Sequence, residues 1–252
     1  METYLYVLFF SLVGGLFSLA GGVFLLSNKG AAKALTKIAT PFAAGALLAA
    51  VFVELIPESL EGSDTHSTSL WILAGLCAFF VLEYFFHYFH HHDEHEHTST
   101  PVPLLMIGDT LHNLLDGFAI GAAFLVNHTT GIVTTLAIAA HEIPQEIGDF
   151  GLMLHFGYSK KRTLGLNALS ALAATFGALF IYALGSTFSL PVGILLALIA
   201  GMFIYISASD LMPLIHQDAK KKQTAMPLLL FLVGIVLIGL TTTLVHHFFG
   251  EV

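Results

Sequence analysis

Basic residues are scarce in this chain. Only nine of its 252 residues are Lys or Arg, and the net charge is −8. That balance excludes nucleic acid as a partner, because phosphate backbones are gripped by clustered positive charge. A single cysteine, Cys77, excludes an intrachain disulfide framework. No glycine-rich phosphate-binding loop is present, which excludes ATP-driven pumping. Charged residues make up 10% of the chain, too few for the surface of a water-soluble domain. What fills the chain instead is apolar: 56% of residues, with a mean hydropathy of +0.83.

Apolar runs long enough to cross a hydrocarbon core of about 30 Å recur along the whole length. Eight segments are predicted to span a membrane as helices, at about 4–27, 36–58, 69–90, 102–126, 130–156, 163–186, 190–215 and 226–249. The expected fold is therefore an all-α integral membrane bundle of eight helices, a single domain over residues 1–252. Met1-Glu2-Thr3 lacks the basic start of a cleavable signal, so the first segment is expected to stay as a helix.

The nine basic residues fall in three places: Lys29, Lys33 and Lys37; Lys160, Lys161 and Arg162; Lys220, Lys221 and Lys222. These connect segments 1 to 2, 5 to 6 and 7 to 8, which alternation puts on one side. Positive charge gathers on the cytoplasmic side, so both termini are expected outside. The loop at 87–100 is then cytoplasmic, with His87, His90, His91, His92, His95 and His97. Such a histidine-rich tract is biased toward metal binding and fits an accessory receiving role. Segment 2 contains Glu54-Leu55-Ile56-Pro57 and segment 7 contains Asp210-Leu211-Met212-Pro213. With opposite directions of travel, these matching turns fit an inverted repeat in a 3+2+3 arrangement.

Polar residues concentrate in segments 4 and 5, where lipid tolerates them least. Segment 4 reads Asp109-Thr110-Leu111-His112-Asn113-Leu114-Leu115-Asp116, and segment 5 reads His141-Glu142-Ile143-Pro144-Gln145-Glu146-Ile147-Gly148-Asp149. At 100° per residue, Asp109, His112, Asn113 and Asp116 share an arc of about 100°. His141, Glu142, Gln145, Glu146 and Asp149 cover about 140° of the other helix. Each helix thus carries one polar stripe, and two stripes can meet at a seam near the bilayer midplane. Imidazole with carboxylate suits a divalent transition metal. Pro144 leaves the carbonyl of Ala140 without its helical donor, which is expected to open the helix beside the ligands.

The order of polar groups predicts a route. Glu54 and Glu58, with Glu61, Asp64 and His66, form an acidic outer mouth that concentrates cations. Asp109, Glu146, Asp149 and His155 lie progressively toward the cytoplasm. An intramembrane zinc hydrolase is the alternative from another class, and a metal sensor is a third reading. The hydrolase would need a second histidine four residues after His141, where Gln145 stands.

The pair His112-Asn113-x-x-Asp116-Gly117 and His141-Glu142-x-Pro144-x-Glu146-x-Gly148-Asp149 resembles the ZIP (zinc- and iron-regulated-transporter-like) family of divalent-metal transporters. It is most similar to the subgroup with a His-Glu-x-Pro-His-Glu-x-Gly-Asp motif in its fifth helix. The resemblance covers essentially the whole chain. It implies transport of Zn²⁺, or of Fe²⁺, Mn²⁺ or Cd²⁺, toward the cytoplasm, no organic cofactor, and a homodimer. By position it implies a primary site of His112, Asp116, His141 and Gln145. A neighbouring site of Asn113, Asp116 and Glu142 would share Asp116. Gln145 departs from the subgroup's histidine, and an amide oxygen is a poorer ligand for Zn²⁺ than imidazole. Segment 6 offers no carboxylate over Ser170–Gly177, which weakens the neighbouring site. The plasma membrane of a prokaryote is the expected setting.

Overall fold

A single residue, Asn127, separates the two polar helices, and this tight hairpin organises the molecule. The computed structural model describes residues 2–61, 63–91, 102–213, 215–216 and 224–249. Among these residues it is helical, with no strand. In chain order the α-helices are α1 (Glu2–Ser27), α2 (Lys29–Ala50), α3 (Ile56–Leu60), α4 (Thr65–His91), α5 (Val102–Val126), α6 (His128–His155), α7 (Lys160–Thr187), α8 (Val192–Tyr205) and α9 (Met226–Phe249). Among the described residues, five helical stretches are long and apolar enough to cross a membrane: Lys37–Leu60, Thr65–Phe85, Lys160–Thr187, Val192–Ser209 and Met226–Leu244.

Two π-helical turns interrupt this pattern, and each falls on an acid-Leu-x-Pro sequence. One, Val51–Leu55, joins α2 to α3; the other, Ile206–Leu211, follows α8. In the first the Ile56 N–H bonds the Val51 carbonyl, and in the second the Met212 N–H bonds the Ser207 carbonyl. Pro57 and Pro213 lack a backbone donor, and each ring crowds the carbonyl four residues back. Widening the preceding turn relieves that crowding. The opening expected at Pro144 is not where the π-turns lie: α6 stays α-helical from His128 to His155.

The helices pack as two groups. α1, α5, α6 and α7 lie against one another, with α5 running along α7 and α1 along α6 and α7. α2 packs along α9, and α4 along α8. The groups meet mainly where α2 crosses α6, while α4 barely touches α5.

Glycines allow the second group its close crossings. A methyl group at Gly45 would strike the Phe231 carbonyl, and one at Gly234 would strike that of Phe42. The α4–α8 crossing repeats this: Gly75 lies against the Leu198 carbonyl and Gly201 against that of Ile72. With no hydrophobic drive between helices in lipid, such backbone approach supplies much of the packing attraction.

Connections are capped as their sequences require. Asn127 Oδ1 accepts from the Thr130 backbone N–H at 2.8 Å, an N-cap for α6. Gly157, at φ +82°, ends that helix in the left-handed conformation, with the Tyr158 N–H on the Met153 carbonyl at 3.0 Å. Lys160 Nζ donates to the Leu26 carbonyl at 2.8 Å. The end of α1 and the start of α7 therefore share one face of the bundle.

The histidine-rich loop begins later than the sequence implied. His87–His91 continue α4, because the aromatic run before them extends the helical pattern. The side chains of His87, His90 and His91 lie outside the described residues, as do His92, His95 and His97 entirely.

Candidate metal centre

His112 stands fifteen residues before Asn127 and His141 fourteen after it. A helical hairpin with a one-residue turn returns these positions to the same depth, at 1.5 Å per residue in each arm. The stripes on α5 and α6 consequently face each other, and four side chains converge.

Their geometry is specific. His112 Nε2 lies 3.2 Å from His141 Nε2, 3.7 Å from Asp116 Oδ2 and 3.4 Å from Glu142 Oε1. His141 Nε2 lies 3.2 Å from Asp116 Oδ2 and 3.6 Å from Glu142 Oε1. All four donors fall within 4.8 Å of one another. Donors about 2.0–2.1 Å from a central zinc in a tetrahedron stand roughly 3.3–3.4 Å apart. The four atoms thus already outline a zinc coordination shell.

The surroundings leave these donors short of protein partners. Asp116, His141 and Glu142 are each about 1% exposed, and His112 is 13% exposed at its side chain. Both oxygens of Asp116, both of Glu142 and Nδ1 of His141 are buried without a hydrogen-bond partner. Burying two carboxylates in a membrane interior with only two histidine rings beside them is costly, and a divalent cation at the centre would offset that cost. Aromatic rings from the other helix group flank the site. Phe79 of α4 meets the His112 ring edge-to-face at 5.7 Å, and Phe203 of α8 meets His141 at 6.1 Å.

One member of this His, Cys, Asp and Glu cluster was expected next to it. Glu142, expected in the neighbouring site, is the fourth donor of the cluster. Gln145, expected as that donor, is half-buried on the next turn and neighbours Asp109. Asn113 directs its amide nitrogen elsewhere: its Nδ2 donates to the Asp109 carbonyl and to Asp109 Oδ1, both at 3.1 Å, and to Ser170 Oγ at 3.4 Å. The reason is angular. Asn113 lies 100° around the helix from His112, on the side where α7 packs and brings Ser170.

Deeper in the hairpin, Glu146 is fully buried with both oxygens unpartnered, and Asp109 Oδ2 is also without a partner. Asp149 is half-buried, and the side chain of His155 lies outside the described residues. At the opposite end, the acidic mouth needs correction. Glu54 is 1% exposed rather than open, and it accepts from Thr130 Oγ1 at 2.7 Å. Glu58 is half-buried and accepts from Asn127 Nδ2 at 3.2 Å. The start of α6 fills the space in front of both. Asp64 caps α4 through the Ser67 N–H at 2.9 Å, and with Glu61 and His66 it remains exposed. Sequence reasoning passed over Asn127, Thr130, Ser170, Phe79 and Phe203. Only Asn127 carried a local signal, as a capping residue between two apolar runs.

The family model described as "ZIP Zinc transporter" matches residues 2–104 and 99–242. The chain is 31% identical over 220 residues to zinc transporter ZIP13 of Pongo abelii, covering 79% of this chain and 64% of that protein. It is 40% identical over 119 residues to zinc transporter ZIP10 of Danio rerio, covering 47% and 14%. Against zinc transporter ZIP4 of Mus musculus it is 42% identical over 117 residues, covering 44% and 16%. The chain therefore spans less than two thirds of each of these relatives. Because the family match runs through both polar helices and nearly the full length, the chain belongs to the ZIP zinc transporter family.

Proposed function

We propose that this chain is a divalent-metal permease that moves zinc toward the cytoplasm through His112, Asp116, His141 and Glu142. The observation that carries the reading is the set of four donors within 4.8 Å of one another, buried at matching depth in a hairpin and short of other partners. Iron, manganese and cadmium can use the same ligands, so zinc leads through its fit to two imidazoles and through its named relatives. Those relatives are eukaryotic, so a prokaryotic plasma membrane rests on the sequence reading alone.

The proposed topology has eight spans, with the basic connections inside and both ends outside. The inverted repeat draws support from the two π-turns, whose corresponding residues are offset by 156: Val51 with Ser207 and Ile56 with Met212. Gly45 and Gly201 share that offset, and both meet a backbone carbonyl. Gly15 and Ala171 share it too, and a Cβ on Gly15 would stand 3.0 Å from the Ala171 carbonyl oxygen. Residues related by a pseudo-two-fold axis meet in this way where the axis passes between them. In this reading the group holding α5 and α6 moves as a body against α2, α4, α8 and α9, and the chain forms a homodimer.

The test is uptake of radioactive zinc by proteoliposomes containing the purified chain. Saturable influx establishes a permease. Absence of influx for zinc, iron and manganese, with metal still bound, would transfer the site to a sensor.

The route inward from the site follows Asp149 and His155 in this proposal. Alanine at Asp149 is expected to slow zinc uptake several-fold, as is alanine at His155, with protein levels unchanged. Native uptake by both variants would remove the exit route.

A further inference from the structure

α5 and α6 together carry five carboxylates, Asp109, Asp116, Glu142, Glu146 and Asp149, and neither helix contains Lys or Arg. One divalent ion at the centre described above offsets two of the five negative charges. Glu142 and Asp116 are accounted for by that ion, but Asp109 and Glu146 are not. Glu146 is 0% exposed and both its oxygens lack a partner. Asp109 is 5% exposed, with Oδ1 held by the Asn113 amide and Oδ2 left unpartnered. The two residues sit at the same level, because each lies four residues, or about 6 Å, from Asn113 and Glu142 in antiparallel arms. Glu146 is within electrostatic range of Asp109, Glu142 and Asp149. Gln145 lies beside Asp109 at the same level.

We propose that Asp109 and Glu146 form a second divalent-cation site, one helical turn toward the cytoplasm from the His112–His141 centre. Its donors are all oxygen, unlike the mixed nitrogen and oxygen set above it. It also differs in its residues from the Asn113, Asp116 and Glu142 set, while the Asn113 Nδ2 group orients Asp109. An all-oxygen site accepts Mn²⁺ and other hard divalent ions as readily as Zn²⁺. Asp149, half-buried on the following turn, gives this site its cytoplasmic exit. The inference rests on the permease reading for the direction of movement, but not for the binding itself.

The experiment counts bound ions on the purified full-length chain in detergent, dialysed to equilibrium first against Zn²⁺ and then against Mn²⁺. Glu146→Gln is expected to hold one ion fewer than the native chain in both metals, and Asp109→Asn likewise. Glu146→Asp, which disturbs packing at the same buried position but keeps the charge, is expected to retain the ion. The His112→Ala, His141→Ala double variant is expected to lose a different zinc ion and to keep the Mn²⁺ that Glu146→Gln loses. Native stoichiometry in both amide variants would overturn the second site, and would mean that Asp109 and Glu146 are neutralised by protons. Equal loss in Glu146→Gln and Glu146→Asp would overturn it too, since packing would then be the cause. Unchanged zinc in the double-histidine variant would instead sink the primary centre, leaving the two failures distinct.

Discussion

Proteoliposomes carrying His141→Ala are expected to take up zinc at least about 100-fold more slowly than the native chain at sub-saturating metal. Loss even of a residue that only orients a metal ligand commonly costs 10–100-fold in affinity, and His141 is placed to be a ligand itself. Its Nε2 stands 3.2 Å from both His112 Nε2 and Asp116 Oδ2 and 3.6 Å from Glu142 Oε1. No other histidine, cysteine, aspartate or glutamate among the described residues joins this group of four. The variant is expected to fold, because alanine is the best helix former and α6 is anchored elsewhere by Phe150 against Gly22 and by Asn127 at its start. Circular dichroism and yield in detergent provide the check. Native uptake by a well-folded His141→Ala chain would mean the ion travels by another path.

The second large effect concerns the scaffold. Gly201→Val is expected to lower the thermal midpoint in detergent sharply, or to prevent recovery of folded protein. Gly201 is buried in α8, and any Cβ there meets the Ile72 backbone carbonyl of α4. The helices cannot slide apart without losing the reciprocal contact of Gly75 with Leu198. Overpacking a core typically costs about 1–3 kcal/mol when side chains can yield, and here the obstructing atom is backbone. Gly239→Val is the matched control, because nothing lies within 4 Å of a Cβ at Gly239. Equal melting of the two variants would show that the α4–α8 crossing is not held by this approach.

Much of the centre was legible before any coordinates. His112 and Asp116 are a turn apart on one helix, so their shared face follows from helix geometry alone. His141 and Glu142 sit in a somewhat wider stripe, and each histidine lies about ten residues from the start of its segment, which puts the two at similar depth. The acid-Leu-x-Pro pair also marked real features, since both sequences end π-turns. Their consequence was hidden: sequence placed Glu54 in an open mouth, whereas it is buried against Thr130. Thr130 lies 76 residues away, and no local pattern connects the two.

The sequence by itself determined the all-helical class, the helix limits to within a few residues for most segments, and the pairing of two histidine stripes at one depth. These follow from composition, apolar run length and the 100° step of a helix, which are local quantities. Tertiary structure decided which residues of each stripe face the centre. Among the His, Cys, Asp and Glu side chains, Glu142 joins His112, Asp116 and His141, and the Asn113 amide nitrogen donates to Asp109 and Ser170. The physical reason is that a stripe fixes angles along one helix but not that helix's rotation about its own axis. Rotation is set by neighbours, by α7 behind α5 and by the glycine crossings beyond, and those contacts join residues far apart in the chain.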